Sequence, residues 1–302
     1  MTKVGAWLNA ARLRTLPLSI SGILVGTALA ASQESANTLI FVLALCTTIG
    51  FQITSNFAND YGDGIKGTDG AERIGPKRAL QSGLLTAKQL KRGIYISIGI
   101  NILLVIALVY VSFGLDQLLM SVLFLTLGTF AIWAAIKYTV GKSAYGYNGL
   151  GDVFVFIFFG LVSVLGSMFL FVKSIPMLAL LPAISIGLLS VGVLNLNNLR
   201  DFKSDKRVGK NTLVVKMGFE NGKIYHYLLL VLSFICLVAY IITTNGTVLR
   251  YVCLIGYAPI CMHIKKVVEI SNAAELDPEL KKLALSTFFT ALLFYFSYYY
   301  FS

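Results

Sequence analysis

Two short segments bring together the residue types needed to hold a cation against an anionic phosphate. One reads Asn59-Asp60-Tyr61-Gly62-Asp63-Gly64-Ile65-Lys66, and the other Asp201-Phe202-Lys203-Ser204-Asp205, with Lys210 five residues further on. Each follows an apolar run that turns amide-rich, then acidic, then basic. Gln52, Asn56, Asp60 and Asp63 recur at i, i+4, i+8 and i+11 and so share one helical face. Asn198, Asp201 and Asp205 recur at i, i+3 and i+7 and share another. Carboxylates so close to apolar runs are costly and normally face a bundle interior or a water-filled cavity. Two converging acidic faces repel each other unless cations sit between them. Hard oxygen donors suit Mg²⁺, and the neighbouring Lys and Arg suit a phosphate or diphosphate bridged by it. Neither segment offers a thiolate or imidazole, which disfavours zinc and copper. The bland alternative is a pair of interfacial helix ends with solvated charges. Recurrence of the motif at equivalent places in the chain favours a shared metal–phosphate site.

The elements that must position these residues are membrane helices. The chain has 302 residues, 57 % hydrophobic and 13 % charged, with a mean hydropathy of +0.78. A soluble domain carries about 25 % charged residues. The apolar runs repeatedly reach about 20 residues, enough for a helix to cross about 30 Å of hydrocarbon. Barrel strands would alternate in polarity, and these runs do not. Nine spans are expected: 16–31, 39–58, 94–113, 118–136, 150–172, 176–199, 225–244, 248–262 and 283–301, the eighth being short and carrying Arg250. The expected fold is therefore an all-α polytopic membrane protein, with about nine transmembrane helices in a single bundle. The acidic motifs each follow the second span of a four-span unit, so a four-plus-four pseudo-repeat is expected, with the ninth span appended. Residues 1–302 form a single domain in this reading, and 59–93 and 200–224 are the loops bearing the acidic motifs.

Of the 25 Lys and Arg residues, 23 fall on one set of alternate loops; only Lys173 and Arg250 do not. The positive-inside rule then puts the amino terminus and the charged loops in the cytoplasm. An odd number of spans leaves the carboxyl terminus outside. The expected location is a bacterial cytoplasmic (inner) membrane. Arg12 and Arg14 before an apolar run ending Ala28-Leu29-Ala30 imitate a signal peptide, but the run is long for a signal core and starts late.

Other classes fall away. The net charge of +11 is not gathered into a basic domain, so no nucleic-acid partner is expected. Cys46, Cys236, Cys253 and Cys261 sit in apolar stretches without ligand spacing and read as small buried hydrophobes. His226 and His263 read as isolated from each other and from any cysteine, with no catalytic role. No phosphate-cradling glycine loop or dinucleotide fingerprint is present. A transporter would place ionisable groups near mid-membrane on several spans, whereas these acids gather at one interface.

The paired motifs and their positions resemble the UbiA superfamily of intramembrane aromatic prenyltransferases, over essentially the whole chain. Members carry an Asn-Asp-x-x-Asp motif and an Asp-x-x-x-Asp motif, matched here by Asn59-Asp60-Tyr61-Gly62-Asp63 and Asp201-Phe202-Lys203-Ser204-Asp205. Further segments resemble the branch acting on 1,4-dihydroxy-2-naphthoate: Arg14-Thr15-Leu16-Pro17-Leu18-Ser19, Tyr138-Thr139, Gly149-Leu150-Gly151-Asp152, Asn197-Asn198-Leu199-Arg200-Asp201 and Gly209-Lys210-Asn211-Thr212-Leu213. The next acid after the first motif, Asp69, stands differently from the pattern of the 4-hydroxybenzoate branch, which remains the alternative acceptor class.

The resemblance implies the following roles. Mg²⁺, the implied cofactor, is held by Asn59, Asp60, Asp63, Asp201 and Asp205, with Asn56 and Asn198 as supporting amides. It binds the diphosphate of a polyprenyl diphosphate and stabilises its departure. The electron-rich ring of 1,4-dihydroxy-2-naphthoate then attacks the allylic cation, CO₂ is lost, and demethylmenaquinone results. Lys66, Arg78 and Lys210 are diphosphate contacts, Lys66 and Arg78 reading equally well as positive-inside anchors. Tyr138 walls the aromatic or cation pocket or else belongs to the interfacial tyrosine belt. Asp152 and Arg14 are assigned to the acceptor, Arg14 reading also as a basic anchor.

Overall fold

The computed structural model describes residues 2–68, 74–75, 77–245 and 247–300. Among these residues nine helices are long and apolar enough to cross a bilayer. They are numbered here as spans one to nine: Lys3–Ala31, Thr38–Lys66, Ala87–Phe113, Leu118–Lys137, Gly151–Val172, Met177–Arg200, Phe219–Thr243, Val248–Glu269 and Ala273–Tyr299. The chain is an all-α polytopic membrane protein, as its hydropathy indicates.

Local chemistry explains the helix ends. The apolar helix of span one, Leu16–Ala31, carries Pro17 in its first turn, where a missing N–H breaks no helical bond. Asn37 caps span two by accepting from the N–H groups of Leu39 and Ile40. Thr86 and Gln89 form a capping box at the start of span three. Span two ends at Gly67, whose φ of 68° lies in the left-handed region that favours glycine.

Spans two, three, seven, eight and nine run about two turns further into their charged ends than the apolar runs indicate. Hydropathy falls where charge begins, but the backbone ladder continues. As a result Asn59, Asp60, Asp63 and Lys66 all stand on the span-two helix rather than in a loop.

Span nine packs against spans one and eight, span six against spans five and seven, and span three against span two. Span five is wound as a π-helix over Phe156–Gly166. There Gly160 lies so close to span six that an added Cβ would be 2.6 Å from the Cα of Gly187, so small residues set this spacing. The helix of span one is buried along most of its length, so it is part of the bundle core. Ile96, Ile100, Leu103, Ile106 and Tyr110 form an exposed stripe on span three, as a lipid-facing helix requires. A groove of about 540 Å³ lines the outer side of span four, bounded by Val122, Leu125, Thr126, Thr129, Phe130 and Trp133.

Two sequence readings need correction. Only Cys253 is a buried hydrophobe; Cys236 is half-buried, and Cys46 and Cys261 are exposed on the outer face of the bundle. The histidines are not isolated. His226 Nε2 and His263 Nε2 are 2.9 Å apart, and His263 Nδ1 is 2.7 Å from Glu279 Oε2. Lys282 donates to the other oxygen of Glu279 at 2.6 Å. This buried chain ties spans seven, eight and nine together. Residues 37 positions apart become neighbours only through helix packing, which no local pattern reveals.

Candidate active site

The charged ends of the spans meet at one end of the bundle. Asn56 donates from Nδ2 to the Ala11 carbonyl at 2.8 Å and to Thr15 Oγ1 at 3.1 Å, fastening the first part of span one, before its apolar helix. Tyr147, between spans four and five, donates its hydroxyl to Asp63 Oδ1 at 2.7 Å. The Asn211 N–H, between spans six and seven, donates to the Tyr147 carbonyl at 3.0 Å. Arg200, at the end of span six, reaches Asp277 at the start of the span-nine helix at 2.6 Å.

In the first motif, each acid has its own partner. Asp63 is buried and accepts from Arg78 Nη1 at 2.5 Å as well as from Tyr147. The same Arg78 nitrogen donates to the Asn59 carbonyl at 2.7 Å. Asp60 accepts from the N–H groups of Ala79 at 3.1 Å and Leu80 at 3.3 Å, folding the following loop back onto span two. Asn59 Oδ1 accepts from Thr139 Oγ1 at 3.1 Å. The close approach that allows this needs Gly62, where an added Cβ would meet Thr139 atoms at 2.9 Å. Asp69 lies outside the described residues.

The second motif does not sit on one unbroken helix. The span-six helix ends at Arg200, and a six-residue helix covers Phe202–Arg207. Asp201 N–H still donates to the Asn197 carbonyl at 3.0 Å and Asp205 N–H to the Asp201 carbonyl at 2.8 Å, so the i, i+3, i+7 series survives the break. Asn198, Asp201 and Asp205 are all buried. Both carboxylate oxygens of Asp201 accept from the Arg200 guanidinium, at 2.8 and 2.7 Å. Asp205 Oδ1 accepts from Lys210 Nζ at 3.3 Å, while Oδ2 is buried without a partner. Burial pushes the Asp205 carboxyl up to about 6; Asp201 and Asp63 add to the rise and Lys210 opposes it.

The two motifs meet around a pair of tyrosines. Lys66 Nζ stands 3.8 Å over the Tyr147 ring and Lys210 Nζ 5.8 Å from its centroid. Burial raises the Tyr147 hydroxyl, as does the charge of Asp63. Tyr138 is raised too, by burial first and then by the charges of Asp152, Asp63 and Asp205, so its ring lies within the field of both motifs and of span five. It packs edge-on against Tyr145, with centroids 5.4 Å apart. Asp152 is buried near Tyr225 of span seven, and its Oδ1 has no hydrogen-bond partner.

Arg14 is exposed and lies in the field of Asp277, Arg200 and Arg78. A cleft of about 250 Å³ opens beside it, lined by Leu8, Asn9, Arg12, Leu13, Arg14, Asp60, Lys77 and Arg78. Its floor is acidic and its rim basic, with apolar walls from Leu8 and Leu13.

Among the described residues no three Asp, Glu, His or Cys side chains converge closely enough to cage one ion. Asp205 Oδ2, Asn198 Oδ1 and Asn195 Oδ1 are buried oxygens without hydrogen-bond partners, an expensive condition unless something accepts their lone pairs. All are oxygen donors, as Mg²⁺ demands. Lys66, Arg78 and Lys210 stand beside the acids, where an anion carrying the cation would find them. Tyr147 and Tyr225 escaped the sequence reading, which quoted Thr139 and Arg200 within resembling segments but gave them no role. The only local sign of Tyr147 was a polar, Tyr-rich turn between spans four and five.

This architecture has known counterparts. A curated relative from Escherichia coli, named 1,4-dihydroxy-2-naphthoate octaprenyltransferase, is 41 % identical over 294 residues, covering 97 % of this chain and 95 % of the relative. One of the same name from Haemophilus influenzae is 40 % identical over the same shares. Among solved structures, a UbiA homolog from Archaeoglobus fulgidus bound to GPP and Mg²⁺ has the same fold, with a TM-score of 0.61 at 12 % identity over 96 % of this chain and 99 % of that one. Residues 19–293 match the family described as UbiA prenyltransferase, a range that reaches from within span one to within span nine and holds both acidic motifs, and to that family the chain belongs.

Proposed function

We propose that this prenyltransferase moves a polyprenyl group from polyprenyl diphosphate to 1,4-dihydroxy-2-naphthoate. The bond between the allylic carbon and the diphosphate oxygen breaks, and its electron pair leaves with diphosphate. The ring carbon bearing the carboxylate takes the prenyl group. The electron pair of its bond to CO₂ then restores the aromatic ring, giving demethylmenaquinol, the reduced form of demethylmenaquinone. The observation that carries this reading is the meeting of Asp63, Asp205 and Lys210 around Tyr147 and Tyr138. The names of the curated relatives support the acceptor.

Asn59, Asp60, Asp63, Asp201 and Asp205 are the residues we assign to Mg²⁺, with Asn198 beside them. When bound, the cation supplies charge stabilisation to the leaving diphosphate. Lys66, Arg78 and Lys210 take the diphosphate oxygens, exchanging one anionic partner for another. Tyr138 offers a ring face to the developing allylic cation. Arg14 and the basic rim of its cleft receive the acceptor's carboxylate, and Asp152 lies on the acceptor side of Tyr138. Residues 1–302 act as one domain, with the reaction at 59–93 and 200–224.

Purified protein given one labelled polyprenyl diphosphate and a panel of acceptors should consume 1,4-dihydroxy-2-naphthoate and release CO₂ in step with product. Preferential use of 4-hydroxybenzoate would replace the acceptor; flux across proteoliposomes with no product would replace the enzyme by a transporter.

The protein resides, in this reading, in a bacterial cytoplasmic membrane with both motifs facing the cytoplasm. The basic asymmetry supports this orientation. A topology reporter fused after Arg92 should read cytoplasmic, and one fused after Ser302 should read outside. Two cytoplasmic readings would overturn the orientation.

A further inference from the structure

We infer that Arg200 is a positioning residue for the second acidic motif, fixing the plane of the Asp201 carboxylate and tying it to the start of the span-nine helix through Asp277. Arg200 is 3 % exposed, and a guanidinium so buried is tolerated only where its donors are met. Nε and Nη2 form a fork to the two oxygens of Asp201, at 2.8 and 2.7 Å. Nη2 also donates to Asn197 Oδ1 at 2.9 Å, and Nη1 to Asp277 Oδ1 at 2.6 Å. The first loop joins the junction as well. A Cβ added to Gly75 would lie 3.0 Å from Nη2 and 3.1 Å from the guanidinium carbon, so backbone rests against the group and any side chain there would press on it.

One side chain thus touches the second motif, the loop following the first motif, and span nine. Asp277 lies 77 residues beyond Arg200, so the contact exists only in the assembled bundle. A planar fork fixes both the position and the tilt of a carboxylate, which a point charge cannot do. Supporting partners of this kind aim a ligand without touching the ion. Arg200 therefore acts on catalysis through Asp201, and Asp277 acts through Arg200. The inference rests on the metal–diphosphate reading of the motif.

The test uses full-length protein in detergent: wild type, Asp277→Asn, Arg200→Lys and the double variant. Binding of Mg²⁺ with inorganic diphosphate is measured by calorimetry, and turnover is followed across Mg²⁺ concentrations. Thermal unfolding is recorded with and without both ligands. Each single substitution should raise the half-saturating Mg²⁺ concentration about tenfold or more. The acceptor KM should stay where it was. The double variant should be little worse than Arg200→Lys, because the two residues act along one chain. Asp277→Asn, whose side chain is 38 % exposed, should fold as wild type does and so keeps the test clear of unfolding. Wild-type Mg²⁺ dependence in Asp277→Asn would overturn the inference. So would a loss of thermal stability in Arg200→Lys with no change in Mg²⁺ dependence. If wild-type protein itself binds no Mg²⁺ with diphosphate, the site reading falls and the inference with it. Wild-type binding with unshifted variants sinks the role of Arg200 alone.

Discussion

Asp63→Asn and Asp205→Asn should each lower kcat for prenyl transfer by about a hundredfold to a thousandfold, the range seen when one preorganised electrostatic partner of a leaving group is removed. Both side chains are buried, and each already faces a basic residue, Arg78 for Asp63 and Lys210 for Asp205. An amide keeps the shape but supplies no charge to a cation. The loss should hold for every acceptor, because it falls on departure of the diphosphate, and the Mg²⁺ requirement should rise with it. The wild-type protein should show a related pH effect. The metal-free Asp205 carboxyl titrates near 6 because burial and the neighbouring Asp201 and Asp63 favour its neutral form. Mg²⁺ needs the carboxylate, so proton and cation compete. The requirement for Mg²⁺ should be flat above pH 7 and climb as pH falls through about 6, by up to about tenfold per unit for one competing proton. The Asp205→Asn protein, lacking that group, should lose the climb. Near-normal turnover in either variant would remove that residue from the site.

The two chemistries of this chain were unequally legible. The spans were readable because lipid demands long apolar helices and the positive-inside bias marks their ends, both local properties of the sequence. The acids were readable because the i, i+4, i+7 spacing of Asn56, Asp60 and Asp63 survives as a buried face of span two. Their individual partners were not. Tyr147 is 84 residues from Asp63 and meets it only because the ends of spans two and four converge. Asp60, which shares the helical face of Asp63, also accepts from the Ala79 and Leu80 N–H groups, an arrangement that depends on the path of the loop. The break at Asp201 was hidden for another reason. Helical spacing runs through it, and only the backbone angles φ −91° and ψ 8° show that the helix has stopped. Patterns along one helix are written in the sequence, whereas contacts between helices arise from packing.

Tyr138 separates the cation from the metal. Its half-buried ring packs edge-on against Tyr145 and feels the charges of Asp152, Asp63 and Asp205, so a positive charge developing on the allylic carbon would sit between a ring face and carboxylates. Tyr138→Ala removes the ring and should cut kcat without moving the Mg²⁺ requirement, unlike the Asp63 and Asp205 variants. Tyr138→Phe keeps the face and loses only the hydroxyl. A ring–cation contact is worth about 0.5–2 kcal/mol, so Phe should retain about twofold to thirtyfold more activity than Ala. The hydroxyl is not asked to ionise in this scheme: burial and the surrounding acids hold it in its neutral form throughout the working range, so the Phe variant should show the wild-type pH profile. Equal damage from Phe and Ala would mean that the hydroxyl acts, as a donor to substrate, and the ring argument would fail. Harmless substitutions in both cases would leave Tyr138 as an interfacial belt residue and return the cation to the carboxylates alone.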